Sequence, residues 1–248
     1  MYKKKLAKIL SVAIMSSVMF TGCSSEFLEG FRDGLNHKDR EVTSEKQEEN
    51  EIIRDDTPEK AAKDYYRFYV RLEGAFMLDR GMDQADIDAT IDATKKACKE
   101  ELIGAFKDEG IPYDEEQLDG VIDVLLESYS RLTYDTEVIS SDNDSALVKI
   151  KTTYFDYQKL IDKVQDETIA ELKNTAKTEE EVKANFASVY LKYTKKEISE
   201  MRPSIDKNEQ TYKFVKKTIY VNKKQKEVWV PEDLLQFQED IDSLTTKV

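Results

Sequence analysis

The sequence predicts an α+β fold in which helices pack on a small antiparallel sheet. Through most of residues 57–248, apolar residues recur every three or four positions, the spacing of an amphipathic helix. Along two stretches they alternate at every second position instead, with turn residues in the middle, which predicts two β-hairpins. We therefore expect three helices before the first strand, two between the hairpins and one at the C-terminus.

Each of the first three helices is predicted to begin at a residue that caps helix N-termini well: Thr57, Asp83 and Asp114. The first helix is expected to be long, because its apolar spacing continues to Gly81. The second is expected to end near Glu109, before a glycine and a proline. Asp114, followed three positions later by Gln117, fits a capping box at the start of the third helix.

The first hairpin is predicted over residues 134–154, with its turn at 140–144, where Ser, Asp and Asn cluster. Tyr157 lies near the start of the fourth helix, and Thr178 with Glu181 forms a capping box for the fifth. The second hairpin is predicted to turn at residues 222–225, and Pro231 is predicted to open the last helix.

The N-terminus has the features of an export signal. Four lysines within the first eight residues precede an uncharged, mostly apolar run from Ile9 to Gly22. This run is shorter than the roughly 20 apolar residues that a membrane-spanning helix needs, so residues 1–22 are predicted to be a signal peptide.

Phe20, Thr21, Gly22 and Cys23 resemble the lipobox of bacterial lipoproteins. The usual box has Leu three positions before the cysteine, where this chain has Phe20. The resemblance implies that the Cys23 thiol receives a diacylglyceryl group and becomes the first residue of the mature chain. We therefore expect a lipid anchor on the extracytoplasmic face of the cell membrane. An ordinary secreted protein, cleaved nearby, is the alternative.

The charge of the mature chain limits its partners. Removal of residues 1–22 removes four lysines and no acids, which moves the net charge from -13 to -17. Such a surface repels the phosphates of nucleic acids, so we expect no nucleic-acid partner. Residues 23–56 are rich in charge and poor in apolar periodicity, and they are predicted to be a flexible tether. Residues 57–248 are predicted to fold as a single globular domain.

The sequence lacks the usual catalytic templates. Its only histidine, His37, lies in the predicted tether, which excludes histidine-based triads and zinc sites by count. Ser204 and Lys207 fit the SxxK pattern of serine acyltransferases, but the order of the accompanying motifs is reversed, and we attribute the match to chance. Cys98 lies on an apolar helical stripe and is predicted to be buried. We therefore expect no cofactor, no metal ion and no catalytic activity.

The second hairpin combines positive charge with aromatic residues in an otherwise acidic chain. Its lysines form the candidate binding patch: Lys213, Lys216, Lys217, Lys223, Lys224 and Lys226. Such a patch could hold an anionic polymer of the cell envelope or an acidic protein partner. The alternative is that the lysines protect an exposed strand edge while the aromatic residues, Trp229 in particular, fill the core.

Three features together resemble a group of bacterial lipoproteins: the order of the elements, the Thr57-Pro58-Glu59 start after a lipoprotein tether, and a strand with Val148 and Ile150 followed by Asp156. Those lipoproteins carry a domain of unknown function with a cystatin-like, nuclear-transport-factor-like α+β fold. The resemblance covers residues 57–248. It implies no established activity and supplies no catalytic residue, since the wider superfamily includes enzymes and binding modules.

The sequence therefore favours a lipid-anchored, non-catalytic binding domain at the cell envelope. A small cavity-type enzyme that uses carboxylates and tyrosines is the alternative from another functional class.

Overall fold

The computed structural model describes residues 56–221 and 224–247. The predicted signal peptide, Cys23 and nearly all of the tether lie outside these residues. The helices are α1 (Pro58–Arg71), a 3-10 helix (Gly74–Arg80), α2 (Gln84–Asp108), α3 (Glu115–Tyr129), α4 (Tyr157–Thr175), α5 (Glu179–Glu200) and α6 (Leu234–Thr245). The strands are β1 (Tyr134–Ser141), β2 (Ser145–Thr153), β3 (Phe155–Asp156), β4 (Lys207–Val221), β5 (Lys224–Pro231) and β6 (Thr246–Lys247).

Four strands form one antiparallel sheet in the order β1-β2-β4-β5, which confirms the predicted α+β class. The two predicted hairpins, β1-β2 and β4-β5, lie side by side because β2 pairs with β4. A second, parallel pair joins β3 to β6. The sequence did not predict this pair, because two residues per strand are too few to reveal an alternating pattern.

One face of the sheet is covered by α1 and α6. Along β2, the buried Val148 and Ile150 face these helices, whereas the intervening Lys149 and Lys151 are more exposed on the other face. Lys149 pairs with Glu209 on that open face. The alternation that predicted the hairpin therefore separates a core face from a charged face.

Aromatic rings fill the space between the sheet and the two helices. The ring of Phe237 in α6 lies at the centre, 4.6 Å from the ring of Tyr212 and 6.0 Å from the rings of Tyr65 and Phe214. Tyr66 of α1 hydrogen-bonds to the Thr152 hydroxyl of β2 at 2.5 Å. A ligand pocket on this face of the sheet would need these side chains to move, since cores are close-packed.

A second layer of helices lies beside the sheet, where α5 packs against both α3 and α4. Cys98 is buried in α2, as predicted. The capping box of Thr178 and Glu181 forms at the start of α5. At the other end of α5, the Arg131 guanidinium donates to the carbonyl oxygens of Ile198, Ser199 and Met201. Both ends of α5 are therefore satisfied by side chains.

The long first helix predicted up to Gly81 is wrong, because α1 ends at Arg71. Leu72 adopts a left-handed conformation with φ of 54°, which turns the chain, and the 3-10 helix then runs up to Gly81. A Cβ atom at Gly74 would lie 2.2 Å from Cγ2 of Ile87, so this turn requires glycine at close approach. The apolar spacing continued past Leu72 because both segments bury apolar side chains.

Two further boundaries differ from the prediction. Pro231 ends β5, where it pairs with Phe214, and the last helix begins at Leu234 after the N-cap Asp233. Proline lacks a backbone N–H and is tolerated in an edge strand such as β5, where that group is not needed for pairing. Pro231 therefore ends a strand here, although proline is also common at the start of a helix. The predicted four-residue turn at 222–225 is also shorter, because Val221 already pairs with Lys224.

A buried ion-pair network fastens the start of the folded chain to the edge of the sheet. The Arg80 side chain is 2% exposed and forms ion pairs with Asp56 and with Asp64 of α1. Arg80 also donates to the Trp229 carbonyl oxygen at 3.2 Å, and the Trp229 N–H donates to the Asp56 carboxylate at 2.8 Å. Burial alone would lower the pKa of Arg80, but the two carboxylates outweigh it and raise that pKa. The side chain of Asp56, a residue expected to belong to the tether, is therefore buried against the folded part.

Candidate functional site

An open cleft of about 570 Å³ lies where the start of α4, the end of α5 and the connector at residues 202–206 meet. The face of α4 contributes Lys159, Leu160 and Lys163, which lie within two turns of the helix. Asp156 caps α4 by accepting a hydrogen bond from the Lys159 backbone N–H. The volume is within the roughly 300–1,000 Å³ of small-ligand sites.

Hydrogen bonds hold the connector against Tyr154, the residue between β2 and β3. The Ser204 backbone N–H donates to the Tyr154 carbonyl oxygen at 2.8 Å, and the Ser204 hydroxyl accepts from the Tyr154 N–H at 3.0 Å. The same hydroxyl donates to the Asp206 carbonyl oxygen at 2.6 Å. Lys207, the other member of the SxxK pattern, forms an ion pair with Asp135. The Ser204 backbone and hydroxyl therefore hold the connector in place, and the attribution of the SxxK match to chance stays a prediction.

Several charged groups of the cleft are already paired within the protein. Lys159 lies 2.7 Å from Asp156, and Lys163 lies 3.2 Å from Glu197. The Lys159 ammonium group lowers the pKa of Asp156. Burial of Glu197 would raise its pKa, but hydrogen bonds from Lys196 and Lys163 outweigh this effect, and the pKa is lowered. These pairs form the charged wall of the cleft along α4 and α5.

Three other charged groups at the cleft, those of Arg202, Glu200 and Asp206, have no ion pair among the residues that the structure describes. The apolar part of the lining includes Leu160 and Met201, both partly exposed. Ile205 adds a side chain that is 99% exposed at the rim. The cleft therefore combines unpaired charges of both signs with apolar surface.

The cleft was not predicted from the sequence. It joins residues 154–163 to residues 197–206, and their proximity depends on tertiary packing. The nearest sequence signal is Ile205, an isolated apolar residue directly after Pro203 and Ser204. A single apolar residue in a loop is common on protein surfaces and does not identify a site.

Two lysines of the predicted basic patch are engaged within the protein. Lys213 pairs with Glu232 at 2.6 Å, and the Lys226 ammonium donates to the Asp79 carbonyl oxygen at 3.0 Å.

The register of β4 places Lys216 and Lys217 on opposite faces of the sheet. The Lys216 ammonium lies 5.2 Å from the centre of the buried Trp229 ring, a cation–π contact. Lys217 is exposed. Lys223 and the Lys224 side chain lie outside what the structure describes.

The first hairpin's Ser-Asp-Asn cluster serves as a turn, as predicted. The Asp142 carboxylate accepts hydrogen bonds from the backbone N–H groups of Asp144 and Ser145. These bonds lower the pKa of Asp142, and the bond from the Asp144 N–H has the largest effect. Among the described residues, no group of three or more histidine, cysteine or acidic side chains is arranged to hold a metal ion.

The buried tyrosines lie in the core and do not line the cleft. Burial raises the pKa of Tyr66 to about 12 and that of Tyr190 also to about 12. Burial likewise raises the pKa values of Tyr65, Tyr69 and Tyr212. These phenols stay protonated at neutral pH, which makes them poor general bases.

Within the described part of the chain, no helix is both long enough and apolar enough to cross a bilayer. Neither protein-family models nor curated protein sequences match this chain. A search of solved structures matches the crystal structure of ycdA from Bacillus subtilis, which is provisionally classed as a lipoprotein.

The two chains are 17% identical with a TM-score of 0.53, and the match covers 77% of this chain and 56% of ycdA. This chain thus spans little more than half of the length of ycdA. At this identity, the likeness shows a similar α+β fold.

A substitution of Glu197 tests the ion pairs of the charged wall of the cleft. Because its pKa is lowered on folding, its ion pairs contribute stability above the ordinary pKa of 4.5 and lose it as the pH falls through the folded-state pKa. Replacement by Glu197→Gln is expected to reduce the free energy of unfolding by about 1 kcal/mol at pH 7. The difference from the wild type should shrink below pH 4.5.

Urea unfolding followed by circular dichroism at pH 7 and at pH 3 measures this difference. The exposed Glu239→Gln in the middle of α6 is the matched control and should leave the unfolding free energy nearly unchanged at both pH values. A difference for Glu197→Gln that is the same at pH 7 and pH 3 would contradict the assigned ion pairs.

Proposed function

We propose that this chain is a bacterial lipoprotein, anchored through Cys23, whose folded part binds a ligand on the extracytoplasmic face of the membrane. The observation that carries the proposal is the sequence Phe20-Thr21-Gly22-Cys23 after a basic and apolar start. The similarity in fold to ycdA, which is itself provisionally classed as a lipoprotein, supports it. We further propose that the sheet and helices follow the cystatin-like, nuclear-transport-factor-like arrangement that the sequence resembles.

The anchor would be strong enough for permanent attachment. Each buried methylene of an acyl chain contributes about 0.8 kcal/mol to membrane binding, and one chain alone binds only marginally. The diacylglyceryl group of a lipoprotein supplies two chains. The stretch between Cys23 and Asp56 could then extend at most about 3.5 Å per residue, which would allow the folded part to stand well away from the bilayer.

The packed space between the sheet and the helices α1 and α6 supports a binding role better than a cavity-type enzyme. Where the sheet is covered by α1 and α6, aromatic rings such as those of Phe237 and Tyr212 occupy the space. The cleft at residues 202–206 remains the place where carboxylate and tyrosine chemistry would act, because Tyr154, Glu200 and Asp206 line it. This enzyme is the alternative to a binding module.

Binding of an anionic envelope polymer to the second hairpin is a second candidate. The exposed Lys217 favours it, whereas Lys213 and Lys226 are engaged within the protein. The strongly negative charge of the whole chain disfavours nucleic acid as a partner.

Metabolic labelling with an alkyne fatty acid tests the anchor. We expect the wild-type chain and Cys98→Ala to incorporate the label and to sediment with membranes, whereas Cys23→Ala should lose both properties. Cys98 is the matched control because it is buried in α2 and would not be acylated. Undiminished labelling of Cys23→Ala would contradict the proposal.

Retention on immobilised polyglycerol phosphate tests the second candidate. Lys217→Glu should reduce retention several-fold relative to Lys95→Glu, which makes the same charge change at an exposed position of α2. Equal retention of the two variants would remove the hairpin as a polymer site.

A further inference from the structure

Arg202, Glu200 and Asp206, which form no ion pair within the described part of the chain, stand on backbone that is held in place. Arg202 and Asp206 are the two end residues of the connector, whose Ser204 is hydrogen-bonded to Tyr154 and to the Asp206 carbonyl oxygen. Glu200 is the last residue of α5, and Arg131 binds the carbonyl oxygens at that end of the helix. Binding at this cleft would therefore require little ordering of the backbone, which favours affinity.

The charges are of both signs. Arg202 presents a guanidinium group, which binds carboxylates in a planar, bidentate geometry. Glu200 and Asp206 present carboxylates, which attract an ammonium group. A uniformly anionic ligand would meet these two carboxylates, and a uniformly cationic ligand would meet Arg202. The arrangement therefore favours a ligand that carries one charge of each sign.

Apolar surface lies among these charges. Leu160 and Met201 are partly exposed in the lining, and Ile205 is 99% exposed at the rim. Burial of such side chains under an apolar group of a ligand is favourable in water. The ligand that fits should therefore carry an apolar group beside its two charges.

We propose that the cleft binds a short peptide with a free amino group and a free carboxyl group. The peptide carboxylate contacts Arg202, the ammonium group contacts Glu200 and Asp206, and an apolar side chain contacts Met201 and Ile205. The volume of about 570 Å³ accommodates a few amino-acid residues. This assignment rests on the proposed binding function and names the class of ligand.

Calorimetric titration of the full-length chain in detergent tests the assignment, with the tripeptide Ala-Leu-Ala as the probe. Its N-acetylated and C-amidated forms each remove one charge. We expect C-amidation to weaken binding to the wild type at least tenfold, and Arg202→Gln to weaken binding of the free tripeptide by a similar factor.

The two changes should not add: Arg202→Gln should bind the free and the C-amidated tripeptide equally, because the same contact is lost in both. Glu200→Gln combined with Asp206→Asn should likewise remove the preference for the free amino group. The controls make the same charge changes at exposed positions of α2 and α3, namely Lys95→Gln and the pair Asp92→Asn with Glu116→Gln. They should bind like the wild type.

Absence of tripeptide binding at millimolar concentration would overturn the assignment, as would equal binding of the free and blocked forms to the wild type. Unchanged affinity of Arg202→Gln would overturn it as well. Since labelling at Cys23 is measured independently, each of these results would leave the anchor proposal standing.

Discussion

The buried guanidinium of Arg80 joins parts of the chain that are distant in sequence. Through Asp64 it binds α1, through Asp56 it binds the start of the folded chain, and through the Trp229 carbonyl oxygen it binds the edge of β5. A buried charge without partners is strongly destabilising. Burial of Arg80 is therefore favourable only when α1, the start of the folded chain and β5 have come together. The Asp56 carboxylate also accepts a hydrogen bond from the Trp229 N–H at the free edge of β5. Less of this strand edge is therefore free to pair with another chain.

This attachment has a consequence for the proposed display at the membrane. A tether anchored at Cys23 would enter the folded part at Asp56, on the β5 edge of the sheet. The core between the sheet, α1 and α6 is filled by aromatic rings. The second layer of helices leaves a cleft where α4, α5 and the connector meet, and the unpaired charges lie there. The packed core and the proposed binding cleft thus lie in different layers of the fold.

Local signals in the sequence predicted most of the fold. Asp83, Asp114 and Thr178 cap the helices that they were expected to begin, because side-chain capping depends on neighbours three residues away. The break at Leu72 was missed because nothing in its side chain indicates a left-handed conformation. The cleft and the Arg80 network depend on contacts between segments that are distant in sequence. The spacing of apolar residues in one sequence does not predict such contacts. For the basic hairpin, the sequence identified the lysines but not their internal partners, such as Glu232.

Unfolding of Arg80→Met in urea tests most directly whether the ion-pair network holds the fold together. This change keeps the apolar stem but leaves the carboxylates of Asp56 and Asp64 buried without their cation. The account predicts a loss of about 3–5 kcal/mol in the free energy of unfolding, whereas Arg202→Met at the exposed connector should change it by about 0.5 kcal/mol or less. Equal, small losses in the two variants would contradict the central role of Arg80.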